Sequence, residues 1–289
     1  MRRTRVLVLS FTLLLALLAA CNPLQTATSQ PLPNTTVQTE TDLPVSEEKP
    51  ELENFFEGMK GAFVLYDLNG QKTIRFNTQR CAEPFLPAST FKILNALIGL
   101  ETGVISDENY KIAWDGTNYE IASWNQDQTL ATAFQNSVVW YYQELARRVG
   151  EERMRHYVEL ADYGNRDISG KIDTFWLEGG LRISADQQVD FLKRFYQNDL
   201  PFSTSSIDIV KKIMILESTD SYTFRGKTGS VQRVPIHTGW FVGYLERDGN
   251  VYFFATNIES TDPDGFASGA AAREITENIL VEEGLLPPR

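Results

Sequence analysis

Histidine and cysteine are scarce in this sequence, which contains only two of each: His156, His237, Cys21 and Cys81. Zinc hydrolase sites combine several His, Cys, Asp or Glu ligands, so such a site is hard to assemble here and none is predicted. A Ser-His-Asp triad would have to use one of the two histidines. His156 lies in a charged helical stretch and is predicted to be solvated, whereas His237 begins an alternating strand, where a structural role is favoured.

Positive charge is also in deficit. The chain has 27 Lys and Arg against 38 Asp and Glu, for a net charge of −11 at pH 7. Such an acidic balance argues against a nucleic-acid partner. Cys81 is the only cysteine in the predicted folded part, so no disulfide can form within it. A small packing residue is favoured there over a reactive thiol.

The one long apolar run lies at the N-terminus and has the features of an export signal. Three arginines precede an apolar stretch over residues 6–20, which is short for a membrane-spanning helix. The run ends in Leu-Ala-Ala-Cys at Cys21, which resembles the lipobox of bacterial lipoproteins and implies cleavage before Cys21 and lipidation of its thiol. Plain secretion with an unrelated cysteine is the alternative. The lipoprotein prediction places the chain on the periplasmic side of a membrane or at the cell surface.

Residues 1–20 are therefore predicted to be a signal peptide, and residues 21–52 a lipidated, flexible tether. The tether is rich in Thr, Pro, Gln, Ser and Glu and has no hydrophobic period. Residues 53–289 are predicted to form one domain. Neither composition nor motifs specify an oligomeric state.

Strands are predicted at both ends of this domain and helices between them. Residues 62–68 and 72–77 have strand composition and are joined by Asn69-Gly70, a strong hairpin signal. Helical periods are predicted over 89–103, 129–150, 151–162, 185–198 and 205–216, returning strands over 222–225, 237–245 and 251–257, and a closing helix over 266–283. This order predicts an α+β fold, in which both termini complete an antiparallel sheet and a mostly helical middle region borders a cleft.

Ser89 and Lys92 are the first candidate catalytic residues. They lie one helical turn apart at the start of an apolar helix, so Lys92 can reach the Ser89 hydroxyl and act as its base. The free N–H groups of a first helical turn favour an alkoxide or oxyanion. The spacing alone is weak, because Ser46 and Lys49 repeat it in a polar segment. An ordinary core helix with an exposed lysine is the alternative at this point.

Two further motifs strengthen the prediction. Lys227-Thr228-Gly229 follows the first returning strand, and the run from Ser137 to Val139 opens a helix in the middle region. Ser-x-x-Lys, Ser-Asp-Asn and Lys-Thr-Gly in this order are the signature of penicillin-interacting serine enzymes. The chain departs from it in the middle motif, where valines replace Asp and Asn.

This departure predicts apolar surroundings for Lys92. Its walls are predicted to be Phe91 and Val139, with Trp176 and Leu177 from a later Phe-Trp-Leu-Glu-Gly run. Burial without a partner can lower a lysine pKa by up to about 3–5 units, and a neutral amine can add CO2. The resulting carbamate would accept hydrogen bonds from the serine and the indole and serve as a general base.

Together these motifs resemble those of the class D β-lactamases, the oxacillinase family of serine β-lactam hydrolases. The resemblance covers roughly residues 60 to 285 and rests on the runs Pro-Ala-Ser89-Thr-Phe-Lys92, Ser137-x-Val139, Tyr163-Gly164-Asn165, Asp173-x-Phe-Trp176-Leu-Glu-Gly179 and Lys227-Thr228-Gly229. It implies the α/β sandwich of serine β-lactamases and penicillin-binding proteins, hydrolysis of the penicillin β-lactam amide, and antibiotic resistance.

The resemblance also implies a role for each motif residue. Ser89 would be the nucleophile, Lys92 an N6-carboxylated general base held by Trp176, and Ser137 with Lys227 a proton relay to the departing lactam nitrogen. The backbone N–H groups of Ser89 and Ser230 would bind the oxyanion, each such donor being worth about 10²–10³ in rate. CO2 or bicarbonate to carboxylate the lysine would be the only small-molecule requirement, with no other cofactor.

The substrate carboxylate would be bound by Thr228 and Arg273, beside Gly229. The alternative for Arg273 is a surface arginine paired with Glu277 at i+4. Tyr163-Gly164-Asn165 is expected to hold a cleft loop, and Ile121 and Trp124 to line the entrance, although ordinary rim packing would look the same.

Two other functions share many of these motifs. The sensor domain of β-lactam-responsive regulators binds the drug and stays acylated, but its middle motif is usually Ser-x-Asn and it is joined to several membrane spans. A penicillin-binding transpeptidase would act on cell-wall peptides, against which stand the short chain and the apolar lysine pocket. A lipid-tethered β-lactamase with a small-molecule substrate is the favoured prediction.

Overall fold

The computed structural model describes residues 45–233, 236–261 and 267–288. The chain divides into two units, Met1–Thr41 and Asp42–Arg289, and every described residue belongs to the second. The predicted signal peptide, Cys21 and most of the predicted tether lie outside the described residues. None of the described helices is long and apolar enough to cross a membrane.

A seven-stranded sheet organises the fold. The strands of the described chain are β1 (Val45–Glu48), β2 (Lys60–Asp67), β3 (Lys72–Phe76), β4 (Lys111–Ile112), β5 (Gln128–Thr129), β6 (Ile215–Ser218), β7 (Tyr222–Arg233), β8 (Ile236–Arg247) and β9 (Asn250–Ser260). The sheet order is β1-β3-β2-β9-β8-β7-β6, and β4 pairs separately with β5. Neighbouring strands of the sheet are antiparallel except β1 and β3, which are parallel.

Helices cover both faces of this sheet. The α-helices are α1 (Thr78–Ala82), α2 (Lys92–Glu101), α3 (Leu130–Gln135), α4 (Val139–Val149), α5 (Glu151–Leu160), α6 (Ala185–Tyr196), α7 (Thr204–Ile213) and α8 (Gly269–Glu282). Helix α8 and a 3-10 helix at Pro50–Phe56 pack on one face, and α6 packs on the other. The larger core lies between the second face and the middle helices. Strands β8 and β9 are buried on both faces, which explains their continuous apolar runs.

The predicted α+β arrangement is confirmed. The Asn69-Gly70 hairpin joins β2 and β3, and the last strands β7, β8 and β9 complete the same sheet. The middle of the chain is mainly helical. The five strands that the sequence predicted are all present in the predicted order, because each of these runs is bounded by a clear turn signal.

Residues 45–52 belong to the fold, although they were predicted to be tether. Strand β1 pairs with β3, Leu52 is buried, and Lys49 Nζ lies 2.7 Å from Glu283 Oε1. A short edge strand is held by backbone hydrogen bonds and buries few side chains, so it leaves no hydrophobic period in the sequence. The domain therefore begins before the predicted residue 53.

Two predicted helices have different limits. The helix predicted over 129–150 is two helices, α3 and α4, separated by residues 136–138, where Ser137 has φ +53°. The helix predicted to end at residue 216 ends at Ile213, and residues 215–218 pair with β7 as β6. A short apolar run fits both the helical and the strand period, and here backbone pairing with the open edge of β7 makes it a strand.

Candidate active site

Ser89 and Lys92 lie in direct contact. Ser89 belongs to a 3-10 helix, Ala88–Phe91, which leads into α2 at Lys92. Because a 3-10 turn brings residues three apart onto one line, Lys92 Nζ lies 2.6 Å from Ser89 Oγ. Ser89 is 9% exposed and Lys92 is 0% exposed. The contact expected from the spacing is therefore present, and because Lys92 is buried, the alternative of a core helix with an exposed lysine is wrong.

The second Ser-x-x-Lys copy has no such arrangement. Ser46 is exposed in β1, where its Oγ accepts a hydrogen bond from Arg75. Lys49 instead donates to both carboxylate oxygens of Glu283. The two copies thus differ in burial and partners, as the polar context of the second predicts.

A strained backbone turn presents Ser89. Ala88 has φ +49°, in the left-handed region that residues with a Cβ rarely adopt. Its N–H donates to the Trp176 carbonyl at 3.1 Å, and the Thr90 N–H donates to the Pro87 carbonyl at 3.1 Å. The Thr90 hydroxyl donates to the same Pro87 carbonyl at 2.7 Å. These bonds hold the turn against its strain.

Strand β7 brings the Lys-Thr-Gly motif beside this turn. A Cβ at Gly229 would lie 3.1 Å from the Pro87 carbonyl oxygen and 3.3 Å from the Ser89 backbone nitrogen. Glycine therefore lets the strand approach the nucleophile without displacing it. Ser230 follows at once and borders the same cleft as Ser89, which suits a pair of backbone donors from the two serines.

Ser137 and Lys227 form a second polar contact in the site. Lys227 Nζ donates to Ser137 Oγ at 3.1 Å and to the Thr228 carbonyl at 2.9 Å. Lys227 is 4% exposed in β7, and Ser137 lies in the break between α3 and α4. The sequence predicted that Ser137 opens a helix, whereas in the structure it lies two residues before the first residue of α4.

The two buried lysines have lowered pKa values. Burial lowers the pKa of Lys92 well below its usual value, and the charge of nearby Lys227 lowers it further. Burial alone lowers the pKa of Lys227 to about 7. No carboxylate among the described residues opposes either shift, so both the burial and the neighbouring charge favour the neutral amine of Lys92.

Aromatic side chains form the wall of the lysine pocket. Phe91 stacks on Trp176 with ring centroids 5.3 Å apart, and Trp176 is completely buried. The Trp176 indole Nε1 has no hydrogen-bond partner within the described ranges. Val139 borders the cleft beside the nucleophile, and Leu177 is half-buried against the main core. Phe91, Trp176 and Val139 thus lie beside the turn or the cleft of the nucleophile, whereas the place of Leu177 in the lysine pocket stays a prediction.

Tyr142 is a neighbour of Lys92 that sequence reasoning missed. Lys92 Nζ lies 5.3 Å from the centre of the fully buried Tyr142 ring. Tyr142 follows Val139 by three residues on α4, so the helical period of that segment could have placed it on the same face.

A cleft of about 350 Å3 opens over these groups. It is lined by Asn136, by the predicted entrance residues and by residues of the motifs: Ile121, Trp124, Ser89, Ser137, Val139, Thr228, Gly229 and Ser230. Its size is within the range of small-molecule sites, about 300–1,000 Å3. A larger cavity of about 580 Å3 lies beside Arg80 and Glu259 but contains none of the motif residues. The smaller cleft is therefore the candidate active site.

Arg273 lies next to the cleft rather than in its wall. Its Nε lies 2.7 Å from Glu277 Oε1, and its guanidinium carbon lies 5.9 Å from the centre of the Phe241 ring. It borders a neighbouring cavity together with Lys227 and Thr228. The i,i+4 ion pair considered as the alternative is thus present, and Arg273 also lines one cavity with Thr228.

The Tyr163-Gly164-Asn165 run closes the base of the loop that carries Trp176. The Asn165 amide donates to the Gly180 carbonyl at 2.9 Å and accepts from the Arg182 N–H at 2.9 Å. Gly164 has φ +57°, and a Cβ there would lie 2.1 Å from the Arg182 carbonyl oxygen. The run therefore holds the loop, as expected.

Neither of the two histidines nor Cys81 is among the described residues that line the candidate cleft. His156 is exposed on α5, and His237 is the second residue of β8. Cys81 is buried, its Sγ lies 3.2 Å from the Phe76 carbonyl oxygen, and burial raises its thiol pKa to about 12. No cluster of three or more potential metal ligands occurs in the described part of the chain.

Comparison with known proteins agrees with this geometry. Residues 60–281 match the family described as the penicillin binding protein transpeptidase domain. The chain is 46% identical over 228 residues to the β-lactamase OXA-48 of Klebsiella pneumoniae, covering 79% of this chain and 85% of that protein. A solved structure of the class D β-lactamase YbXI from Nostoc matches with a TM-score of 0.78 and 46% identity, covering 82% of this chain and all of that one.

A sensor protein is among the similar sequences. The regulatory protein BlaR1 of Bacillus licheniformis is 42% identical over 228 residues, which cover 78% of this chain and 37% of that protein.

Proposed function

The chain belongs to the penicillin-binding transpeptidase-domain family and, within it, to the class D serine β-lactamases, and we propose that it hydrolyses the β-lactam amide of penicillin-type antibiotics through an acyl-enzyme on Ser89. The observation that carries the proposal is the 2.6 Å contact between Ser89 Oγ and the amine of buried Lys92. A serine hydroxyl becomes a nucleophile when an adjacent base accepts its proton.

Lys92 is proposed to act as N6-carboxylysine. Its lowered pKa favours the neutral amine, and a neutral amine adds CO2 with loss of one proton. The buried Trp176 Nε1, which lacks a partner among the described residues, fits a donor to the carbamate oxygen. CO2 or bicarbonate is then the one small molecule that the site needs before it can turn over.

In the acylation half-reaction, carboxylated Lys92 accepts the Ser89 proton while Ser89 Oγ bonds to the lactam carbonyl carbon. The backbone N–H groups of Ser89 and Ser230 donate to the carbonyl oxygen as it becomes an oxyanion. Lys227 then protonates the lactam nitrogen through Ser137 as the C–N bond breaks, and the proton taken from Ser89 passes from the Lys92 carbamate to Lys227, which restores both groups before deacylation. The 3.1 Å contact between Lys227 Nζ and Ser137 Oγ supports this relay.

In the deacylation half-reaction, carboxylated Lys92 accepts a proton from water, and the resulting hydroxide bonds to the ester carbon. The carbon–Oγ bond breaks, Ser89 recovers its proton, and the ring-opened acid leaves. The same base thus serves both halves of the cycle.

Thr228, with Gly229, and Arg273 are proposed to bind the substrate carboxylate. Thr228 borders both the cleft and the cavity that contains Arg273. An approaching carboxylate competes with Glu277 for the guanidinium, which it can reach because the Arg273 side chain is 36% exposed.

An acylated sensor is the second candidate, because the chain is also 42% identical to BlaR1. The two functions differ in deacylation. Val139, where the sensors usually have Asn, keeps an amide away from Lys92, which favours a neutral amine and hence carboxylation. We therefore favour the hydrolase.

Steady-state hydrolysis of a chromogenic β-lactam by the full chain distinguishes the two functions. Turnover that increases with added bicarbonate, and that is lost in Ser89→Ala but kept in the matched Ser46→Ala variant, supports the hydrolase. A mass adduct on Ser89 that persists for hours without turnover would identify the sensor instead.

The cellular setting is proposed from residues outside the described ranges. Cleavage before Cys21 and lipidation of its thiol would tether the domain by a lipid anchor on the exported side of a membrane, where it would confer resistance by destroying the drug. Cys21→Ser should move the protein from the membrane to the soluble fraction, and an unchanged distribution would exclude the anchor.

A further inference from the structure

One segment of the chain, residues 183–188, contacts both ends of the turn that carries the nucleophile. Ile183 and Phe85 exchange two backbone hydrogen bonds, of 2.8 and 2.9 Å. Five residues later, on α6, Gln188 Nε2 donates to Thr90 Oγ1 at 2.8 Å. The turn from Phe85 to Thr90 is thus held from behind by one short stretch.

Gln188 is an unusual side chain for a core position. It is 0% exposed, and Thr90 is 1% exposed. Its Oε1 has no hydrogen-bond partner among the residues that the structure describes. Burying an unpaired carbonyl oxygen is unfavourable, and an apolar side chain of the same size would avoid that cost. An apolar core therefore does not explain an amide here, whereas its polar neighbours do: Gln188 bonds Thr90, and the Tyr163 hydroxyl interacts with the side chains of both.

The Thr90 hydroxyl links Gln188 to the strained turn. A hydroxyl has one proton and can accept further hydrogen bonds. Since Gln188 Nε2 can only donate to it, the Thr90 proton is left for the Pro87 carbonyl, which lies 2.7 Å away. Pro87 and Thr90 flank Ala88 and Ser89, so this bond spans the left-handed residue and the nucleophile.

We propose that Gln188 is a positioning residue for acylation of Ser89, acting through Thr90 on the turn at Ala88. The proposal rests on the proposed acyl-enzyme function. Without the Gln188 amide, the Thr90 hydroxyl can rotate away from Pro87, and the turn loses one of the bonds that hold Ser89 Oγ against Lys92. A displacement of about 1 Å at a reacting group can cost about 100-fold in rate.

The test uses the full chain and measures how fast a β-lactam forms the Ser89 adduct, by rapid quench and intact mass in saturating bicarbonate. The variants are Gln188→Met, which keeps the side-chain length, Thr90→Val, which keeps the side-chain shape, and the double variant. Thr90→Ser restores the hydroxyl. Thr256→Val is the matched control, because Thr256 is 0% exposed and its hydroxyl bonds Thr276 on the opposite face of the sheet.

The proposal expects each single variant to acylate about ten- to 100-fold more slowly than the parent. The double variant should be no slower than the slower single one, since both residues act through one chain of bonds. Thr90→Ser and Thr256→Val should stay within about threefold of the parent, even where Thr256→Val loses thermal stability.

Two results would overturn it: acylation of Thr90→Val within about threefold of the parent, or a double variant whose loss is the product of the single losses. If Gln188→Met does not fold, the comparison of Thr90→Val with Thr90→Ser decides alone. A parent chain that forms no adduct would instead refute the proposed function, so the two failures are distinguishable.

Discussion

Replacing Trp176 by Phe separates the indole N–H from the ring that packs in the lysine pocket. The phenyl ring can keep the stacking on Phe91, whose centroid lies 5.3 Å from that of Trp176, while the donor Nε1 is lost. The unmodified protein then loses a buried N–H that has no partner in the described structure, whereas the carboxylated protein loses a hydrogen bond to an anion.

The expected change in the affinity for bicarbonate follows from this loss of a hydrogen bond to an anion. Hydrogen bonds to charged groups contribute about 1.5–3 kcal/mol, and each 1.4 kcal/mol is about a factor of ten in affinity. We expect the bicarbonate concentration for half-maximal activity to rise about ten- to 100-fold in Trp176→Phe, with activity recovered at high bicarbonate. In bicarbonate-free buffer, relief of the orphaned donor should offset part of the packing loss.

The assay is a bicarbonate titration of initial hydrolysis rates, with the carbamate carbon observed directly by NMR after addition of 13C-bicarbonate. Trp140→Phe is the matched control: Trp140 is also buried, but its indole donates to the Trp124 carbonyl at 3.0 Å. The control should lose more stability than Trp176→Phe and keep the parent's bicarbonate midpoint. An unchanged midpoint in Trp176→Phe would refute the role assigned to the indole.

Three further predictions concern the other titratable and charged groups. Burial lowers the pKa of Lys227 to about 7 in the folded state, so the unfolded chain binds more protons than the folded chain between pH 7 and 9.5. In bicarbonate-free buffer the free energy of unfolding should therefore rise with pH in this range, by up to about 1.4 kcal/mol per pH unit from this group. Lys227→Met should reduce that slope in pH-dependent denaturant melts, and an unchanged slope would contradict the assignment. Arg273→Ala should raise KM for a carboxylate-bearing β-lactam about ten- to 100-fold with little change in kcat, whereas Glu277→Gln, which removes the ion pair from the guanidinium, should lower KM. If Arg273→Ala has the same KM as the parent in steady-state kinetics, Arg273 is excluded as the anchor. Cys81, with its thiol pKa raised to about 12, should resist iodoacetamide in the folded protein and react after unfolding, and labelling of the folded chain in peptide mass spectra would contradict its burial.

Much of the site could be predicted because its residues lie in short runs with fixed local geometry. Ser89 and Lys92 are three residues apart, and one turn suffices to bring them together. Lys227 and Ser137 are 90 residues apart, and the sequence related them only through the order of the motifs. Their 3.1 Å contact depends on how the break between α3 and α4 packs on β7.

What the sequence did not predict depends on tertiary contacts. Strand β1 has no side-chain period because an edge strand is held by its backbone, and β6 was assigned to a helix because its short apolar run fits both periods. The contact between Gln188 and Thr90 joins residues 98 positions apart. The strained φ of Ala88 is likewise imposed by hydrogen bonds to Trp176 and Pro87 rather than by a glycine, so no local signal marks it.

The most direct test of the account is a single-turnover time course of intact mass, with the full chain mixed with limiting penicillin in bicarbonate buffer. The account predicts a transient mass gain equal to the whole substrate, located on the peptide that contains Ser89, followed by its loss as the ring-opened acid appears. Lys92→Ala should show neither the gain nor the product at the parent's rate. Hydrolysis at the parent's rate without an adduct on Ser89, or in the Lys92→Ala variant, would contradict the account.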